Sequence, residues 1–288
     1  MLKTFTNNFE DHTSEFTEEN FYTLDTIGLY HYQSFLSQQE IQYINQILDK
    51  WIAQSPVPPS KFSFFEQDKI FCEIMSKKWV LSACERMIGK WFRLDHCVGI
   101  QQPGKIKSSR TGNWVDQGYE SGNIHGGQYA SQGSVYYNSN QERAFSGHMT
   151  LGISLIGQQS EDGGFCFIPG SHKQTNFGNG STIFKETLKQ DYSHQSIHVP
   201  KLQAGDAVFF PENLMHGMKP MRPGTKRRAI YFKFVPSFAC WRPYHRISHY
   251  KNMATNDVQR RILSEPYVAD FPEEGPLMGD NIYREQTQ

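Results

Sequence analysis

From about residue 92 to residue 240 the chain is written almost entirely in short apolar or alternating runs: "RLDHCVGIQ", "HMTLGISLIG", "GFCFIPG", "SIHVPKL", "DAVFFP" and "RRAIYFKFV". Turn residues separate them at intervals of about ten, leaving no room for a helix between successive strands. That spacing restricts the segment to two packed antiparallel sheets, a jelly roll or barrel. The preceding stretch has a different grammar. In "FLSQQEIQYINQILDKWI", Ser37 and Glu40 form a capping box, Leu36 and Ile41 form a hydrophobic staple, and Ile41, Ile44, Leu48 and Trp51 share one helical face. The prolines of "QSPVPPS" end that helix. A second, "SKKWVLSACERMIGK", gathers Trp79, Val80, Ala83, Met87 and Ile88 on one side. Residues 1–35 have no such period and read as an ordered arm. The expected architecture is mainly β with flanking helices: one domain over 1–288, with a helical part at 1–91, a jelly-roll core at 92–240 and a C-terminal wrap at 241–288.

Bulk properties narrow the function classes. Lys plus Arg and Asp plus Glu both number 29, so no basic footprint for nucleic acid and no charge bias toward an anionic membrane is present. The five cysteines (Cys72, Cys84, Cys97, Cys166 and Cys240) are scattered and never spaced CxxC, which excludes a zinc ribbon and suits reduced thiols. The N-terminus lacks a basic-then-apolar leader and no apolar run approaches membrane-spanning length. A cytoplasmic, soluble protein with a small-molecule partner is expected. Aromatics at 14% suit a β-rich core and an aromatic-lined pocket.

The chemistry-bearing residues fall in a fixed order. "GNIHGGQYA" presents His125; "EDGGFCFIPGSHK" gives a turn, a buried strand and a Pro-Gly loop; "AGDAVFFPENLMHG" leads through a strand to His216; and Arg227 opens "RRAIYFKF" eleven residues later. That order, over roughly residues 93–240, resembles the phytanoyl-CoA dioxygenase family of Fe(II)/2-oxoglutarate oxygenases. The resemblance implies a double-stranded β-helix, a cupin-like jelly roll. It further implies His125 and His216 as iron ligands, Arg227 as the partner of the 2-oxoglutarate carboxylate, and Fe(II), 2-oxoglutarate and O2 as the cofactor set. The roles are chemically apt. Fe(II) in such oxygenases takes two imidazoles and a carboxylate on one face, and a guanidinium fork holds a carboxylate bidentately without losing its charge.

One position departs from the pattern. The family motif is His-x-Asp, whereas this chain reads His125-Gly126-Gly127. Three readings follow. A halide can bind the metal directly, as in the halogenases of this superfamily, with chloride or bromide supplying the missing single negative charge and Gly127 the space; this reading is favoured. Alternatively, another group supplies the third ligand, with Asp116, Glu120, Gln128 and His148 in range by sequence. In the third reading the chain binds metal or ligand without turnover.

Strand parity addresses other candidates. Arg227 shares a face with Ala229, Tyr231 and Lys233, and Arg228 with Ile230, Phe232 and Phe234. The more polar face is expected to look into the barrel mouth. In "HMTLGISL", His148, Thr150, Gly152 and Ser154 form the small polar face, so His148 is a candidate substrate contact or general base. His172 of "IPGSHK" is expected to hold its loop by hydrogen bonds. Arg93 and Asp95 share a face as a candidate ion pair, with His96 opposite. His194 and His198 lack the HExxH context of a zinc site. The expected reaction is functionalisation of an aliphatic C–H bond of a small molecule, by halogenation or by hydroxylation.

Overall fold

The computed structural model describes residues 9–54, 61–103, 106–107, 114–115, 124–126, 136–139, 143–174, 192–222 and 224–268. In chain order it forms α1 (Glu18–Ile27), β1 (Tyr30–Tyr32), α2 (Gln38–Ile52), β2 (Lys61–Phe62), α3 (Ile70–Met75), α4 (Lys78–Met87) and β3 (Phe92–Pro103). Short strands follow at β4 (Ile106–Lys107), β5 (Trp114–Val115), β6 (Tyr137–Ser139) and β7 (Ala144–Ser146). The remaining elements are β8 (Met149–Ile156), β9 (Gly164–Phe167), β10 (Ala207–Pro211), β11 (His216–Lys219), β12 (Lys226–Pro236) and α5 (Asp257–Ile262).

The larger sheet runs β1-β10-β8-β12-β3-β2 and is antiparallel throughout. Facing it, β11 pairs with β9, and single bridges add His125 to His216 and His198 to Phe167. Two antiparallel sheets closing on one another, with helices outside, make the cupin-like jelly roll that the strand spacing implied.

Alternation along the central strands divides the molecule into an outer and an inner layer. Met149, Leu151, Ile153 and Leu155 of β8 and Ile230, Phe232 and Phe234 of β12 pack outward against the helices in one continuous core. Trp79 of α4 is fully buried there, ringed by Phe16, Tyr30, Tyr32, Phe35 and Phe209. Burying each such ring stabilises the fold by about 1.5–3 kcal/mol. The opposite faces, which carry Thr150, Gly152, Ala229, Tyr231 and Lys233, line the barrel interior.

Two elements differ from the sequence expectation. The N-terminal arm contains α1, whose burial is confined to Leu24. The helix is held at its start by caps instead of an apolar stripe: Thr17 accepts from the Asn20 N–H, and the Asn20 side chain accepts from the Thr17 N–H. "SIHVPKL" is not a strand but two isolated bridges, Phe167–His198 and Gln158–Leu202. Pro200 stands between them without an N–H to donate, and its carbonyl accepts from the Gln158 side chain. As expected, α2 carries the Ser37–Glu40 capping box.

Candidate metal centre

A pair of histidines is bridged at the end of the smaller sheet. His125 and His216 exchange backbone hydrogen bonds of 2.8 Å in both directions, which brings their rings to 4.3 Å between centroids. Gly126 explains how the chain approaches so closely. Its φ is +124°, and a Cβ there would collide with the Leu214 carbonyl oxygen. That carbonyl accepts the His216 Nδ1–H at 2.7 Å, so Nδ1 carries the proton and the Nε2 lone pair is left to coordinate.

A carboxylate completes the group. β10 ends at Pro211, and a turn closed by the Leu214 N–H on the Pro211 carbonyl (2.8 Å) leads into β11. Glu212 opens that turn with its N–H on the His148 carbonyl at 2.9 Å, which continues the β10–β8 ladder by one step. Its Oε1 accepts from the Thr150 hydroxyl and the Lys233 ammonium and lies 3.9 Å from His216 Nε2. One ligand atom each from His125, Glu212 and His216 lies within 4.8 Å of the others, the one such cluster among the described residues.

Electrostatics prepare these groups for a cation. Burial alone would raise the Glu212 carboxyl, but Lys233, and then the surrounding histidines, hold it well below the usual carboxylate range. Burial, and after it the neighbouring His125, pushes His216 down to about 3, so it is a neutral imidazole at physiological pH. Two imidazoles and one ionised carboxylate are the donor set of a non-haem Fe(II) site, so the residues present fit the metal.

Deeper along β12 the two arginines part company. Arg227 is buried inside the barrel, where it donates to Gln102 (3.3 Å) and the Tyr231 hydroxyl and touches Met218, two residues beyond His216. Among the described residues none of these partners is a carboxylate. A buried guanidinium whose described partners are all neutral is suited to receive an anion. Gly164 of "DGGF" makes room for it: its φ is +88°, and a Cβ would lie 2.9 Å from Arg227 Cδ. Gly152 likewise leaves space for the Tyr231 ring, whose Cε1 would be 2.6 Å from an added Cβ. Arg228 points outward and is fully committed, donating to Gln101 (2.7 and 2.9 Å), Asn45 (2.8 Å) and Asp49 (2.7 Å) on β3 and α2.

The other sequence candidates are placed as follows. Gly127, Asp116, Glu120 and Gln128 lie outside the described residues. His148 is buried beside the cluster, its two ring nitrogens unpartnered among the described residues and its pKa pushed down to about 4 by burial. His172 is buried and bonded to the Asp25 carbonyl at 3.1 Å, pinning "IPGSHK" to α1. Arg93 and Asp95 form a fully buried ion pair at 3.6 Å. His198 serves the bridge to Phe167. Sequence reasoning missed Glu212, Thr150 as its donor, and Lys233; the one available signal was the Glu-x-x-x-His spacing of "ENLMH", read backward from His216.

Comparison with known proteins bears on the fold. Residues 113–229 match the family Phytanoyl-CoA dioxygenase (PhyH). A search of curated proteins gives no match. Among solved structures, HygX from Streptomyces hygroscopicus with nickel and 2-oxoglutarate bound is 20% identical, covering 78% of this chain and 90% of that one, with a TM-score of 0.62. AviO1 from Streptomyces viridochromogenes is 13% identical over 80% of this chain and 100% of its own (TM-score 0.55). The non-heme alpha-ketoglutarate-dependent carbocyclase SnoK from nogalamycin biosynthesis is 14% identical over 79% and 87% (TM-score 0.54). HygX has also been solved with iron bound, and with nickel, 2-oxoglutarate and hygromycin B bound. No helix among the described residues is long and apolar enough to cross a membrane. The chain thus resembles the phytanoyl-CoA dioxygenase (PhyH) family over residues 113–229 and shares its overall fold with HygX, AviO1 and SnoK.

Proposed function

We propose that this protein is an Fe(II)- and 2-oxoglutarate-dependent oxygenase acting on an aliphatic C–H bond of a small molecule, with iron held by His125, His216 and Glu212 and the distal 2-oxoglutarate carboxylate held by Arg227. The observation that carries this reading is the Glu212 carboxylate standing with the two histidines. Iron, 2-oxoglutarate and O2 together supply an oxidant able to take hydrogen from an unactivated carbon. The chain's residues bind and orient. The Leu214 carbonyl fixes the His216 ring, Thr150 and Lys233 fix Glu212 through Oε1, and Tyr231 and Gln102 hold the Arg227 fork in place. The buried Phe165 and Phe210 pack against the His216 ring, and the partly buried Met218 touches Arg227, so apolar groups flank both.

Glu212 also bears on the outcome of the reaction. A halide in the Gly127 position would bring one negative charge to the metal; Glu212 already brings it from the other side of the barrel. Insertion of oxygen is therefore the reading supported here, with halogenation the alternative. Anaerobic titration of Fe(II) and 2-oxoglutarate in chloride-free buffer separates them. Glu212→Gln is expected to lose metal affinity about as strongly as His216→Ala, and chloride is expected to leave the wild-type chelate band and 2-oxoglutarate affinity unchanged. Full iron binding by Glu212→Gln, together with tighter 2-oxoglutarate binding in chloride or bromide, would establish the halide-bound site instead.

A further inference from the structure

Beyond the metal ligands, the same end of the barrel holds a second group of polar side chains, of which the reading above uses Lys233 and Thr150 only to hold Glu212. On adjacent strands, Lys233 of β12 stands directly opposite His96 of β3 on one side and Thr150 of β8 on the other. Between Lys233 and Phe234 the register slips by one residue, and Asp95 is the extra residue on β3. Such a bulge re-aims side chains. Here it leaves Asp95 fully buried behind the sheet, where it accepts the backbone N–H groups of Trp241 (2.7 Å) and Arg242 (3.2 Å) and pairs with Arg93.

Asp95 also holds His96, with Nδ1 to Oδ2 at 2.6 Å. A carboxylate so furnished with donors can only accept, so Nδ1 carries the hydrogen. The His96 Nε2 lone pair then has no partner among the described residues. The side chains of His96 and Lys233 keep 15% and 14% exposure, so neither is sealed in the core. His148 closes the end, its ring 6.1 Å from that of His96 and 5.7 Å from Trp241, with both nitrogens buried and unpartnered among the described residues. Buried polar atoms left without partners call for an explanation, and a ligand is one.

We propose that His96 and Lys233 form a hydroxyl-binding subsite beside the metal centre, so that the substrate is an uncharged alcohol or polyol whose hydroxyl donates to His96 Nε2 and accepts from Lys233 Nζ. This rests on the oxygenase reading and names its substrate class. A hydroxyl satisfies both groups at once. A carboxylate can only accept, so it would face the His96 lone pair and the adjacent Glu212. An ammonium can only donate, so it would face Lys233, whose charge Glu212 already neutralises by direct contact.

Three ring-matched probes test it: cyclohexanol, cyclohexanecarboxylate and cyclohexylamine, titrated into the metal- and 2-oxoglutarate-loaded protein under anaerobic conditions and followed by NMR of the probe and of the histidine ring protons. Cyclohexanol should bind tightest and shift the His96 ring signals, and His96→Phe and Lys233→Met should each weaken it about fivefold, the worth of one net hydrogen bond. His96→Gln, which keeps a donor to Asp95 but loses the ring acceptor, should behave as His96→Phe does. Should Lys233→Met fail to fold, the two His96 variants decide the matter. Tighter binding of either ion, equal response to all three probes, no saturable binding of cyclohexanol, or His96 variants that bind like wild type would overturn the proposal. Metal stoichiometry measured on the same samples separates this failure from failure of the oxygenase reading, since that reading falls only if iron is not held by His125, Glu212 and His216.

Discussion

Arg227 and Arg228 are consecutive, chemically identical and placed on opposite sides of one strand, so exchanging each for Met gives a crossed experiment. Arg227 is buried without an acidic partner among the described residues. Removing it takes an uncompensated cation out of the interior, which leaves stability unchanged or raised. The same change removes the proposed receptor for the cosubstrate carboxylate. Loss of a desolvated charge-assisted pair costs about 2–5 kcal/mol, which corresponds to about 30-fold or greater weakening of 2-oxoglutarate binding. Arg228 reverses both effects. It holds Gln101, Asn45 and Asp49, tying α2 to β12 and β3, but Asp49 is 65% exposed, so the ion pair itself counts for little. The cost of Arg228→Met lies in stranding the neutral partners, about 1–3 kcal/mol of stability, with cosubstrate affinity close to wild type. Calorimetric titration of 2-oxoglutarate into the anaerobic Fe(II) protein, with urea denaturation of the metal-free protein, reads the two effects separately. Loss of 2-oxoglutarate binding in Arg228→Met, or loss of stability in Arg227→Met with cosubstrate binding intact, would refute the assignment of inside and outside faces.

Three further outcomes are expected. His148 and His172 are each pushed down to about 4 by burial, whereas an unfolded histidine titrates near 6.5. The unfolded chain therefore binds more protons in the window between, and stability is complete above about pH 6.5 and falls as pH drops toward 4, by up to about 2.7 kcal/mol per pH unit for two groups; urea midpoints identical at pH 5 and pH 7 would contradict this. Gly126→Ala forces a Cβ against the Leu214 carbonyl at a positive φ, so metal stoichiometry should drop while the far-ultraviolet circular dichroism spectrum stays that of wild type. Gly152→Ala places a Cβ 2.6 Å from Tyr231 Cε1, which should cost about 1–3 kcal/mol in a urea melt and weaken 2-oxoglutarate binding by moving Tyr231 off Arg227.

What could be read from the sequence was whatever repeats locally. The capping box of α2 lies within four residues, the alternation of β8 within eight, and strand parity alone puts Arg227 and Arg228 on opposite faces. α1 escaped because its order comes from polar caps, which carry no apolar period. Glu212 escaped for a different reason. Its character depends on Thr150, 62 residues earlier on β8, and Lys233, 21 residues later on β12, and only the closed sheet brings the three together. The bulge at Asp95 is equally non-local, since it exists only relative to the register of β12.

The proposed relocation of the carboxylate to Glu212 bears on what the glycines of "HGG" are for. Gly126 has a backbone reason independent of any ligand: the His125 strand must lie against the Leu214 carbonyl for the two histidines to pair. A metal held by two neutral imidazoles, dianionic 2-oxoglutarate and Glu212 already carries the single net negative charge that His-x-Asp sites have. A halide added to that sphere would have to approach an ionised carboxylate in a low-dielectric interior, where like charges repel most strongly. Lys233 does not remove this objection, because its ammonium is bound to Glu212 Oε1 and so helps keep that carboxylate ionised and in place. On the proposed reading, the charge that Gly127 leaves out is supplied across the barrel, by the residue that begins the turn into His216.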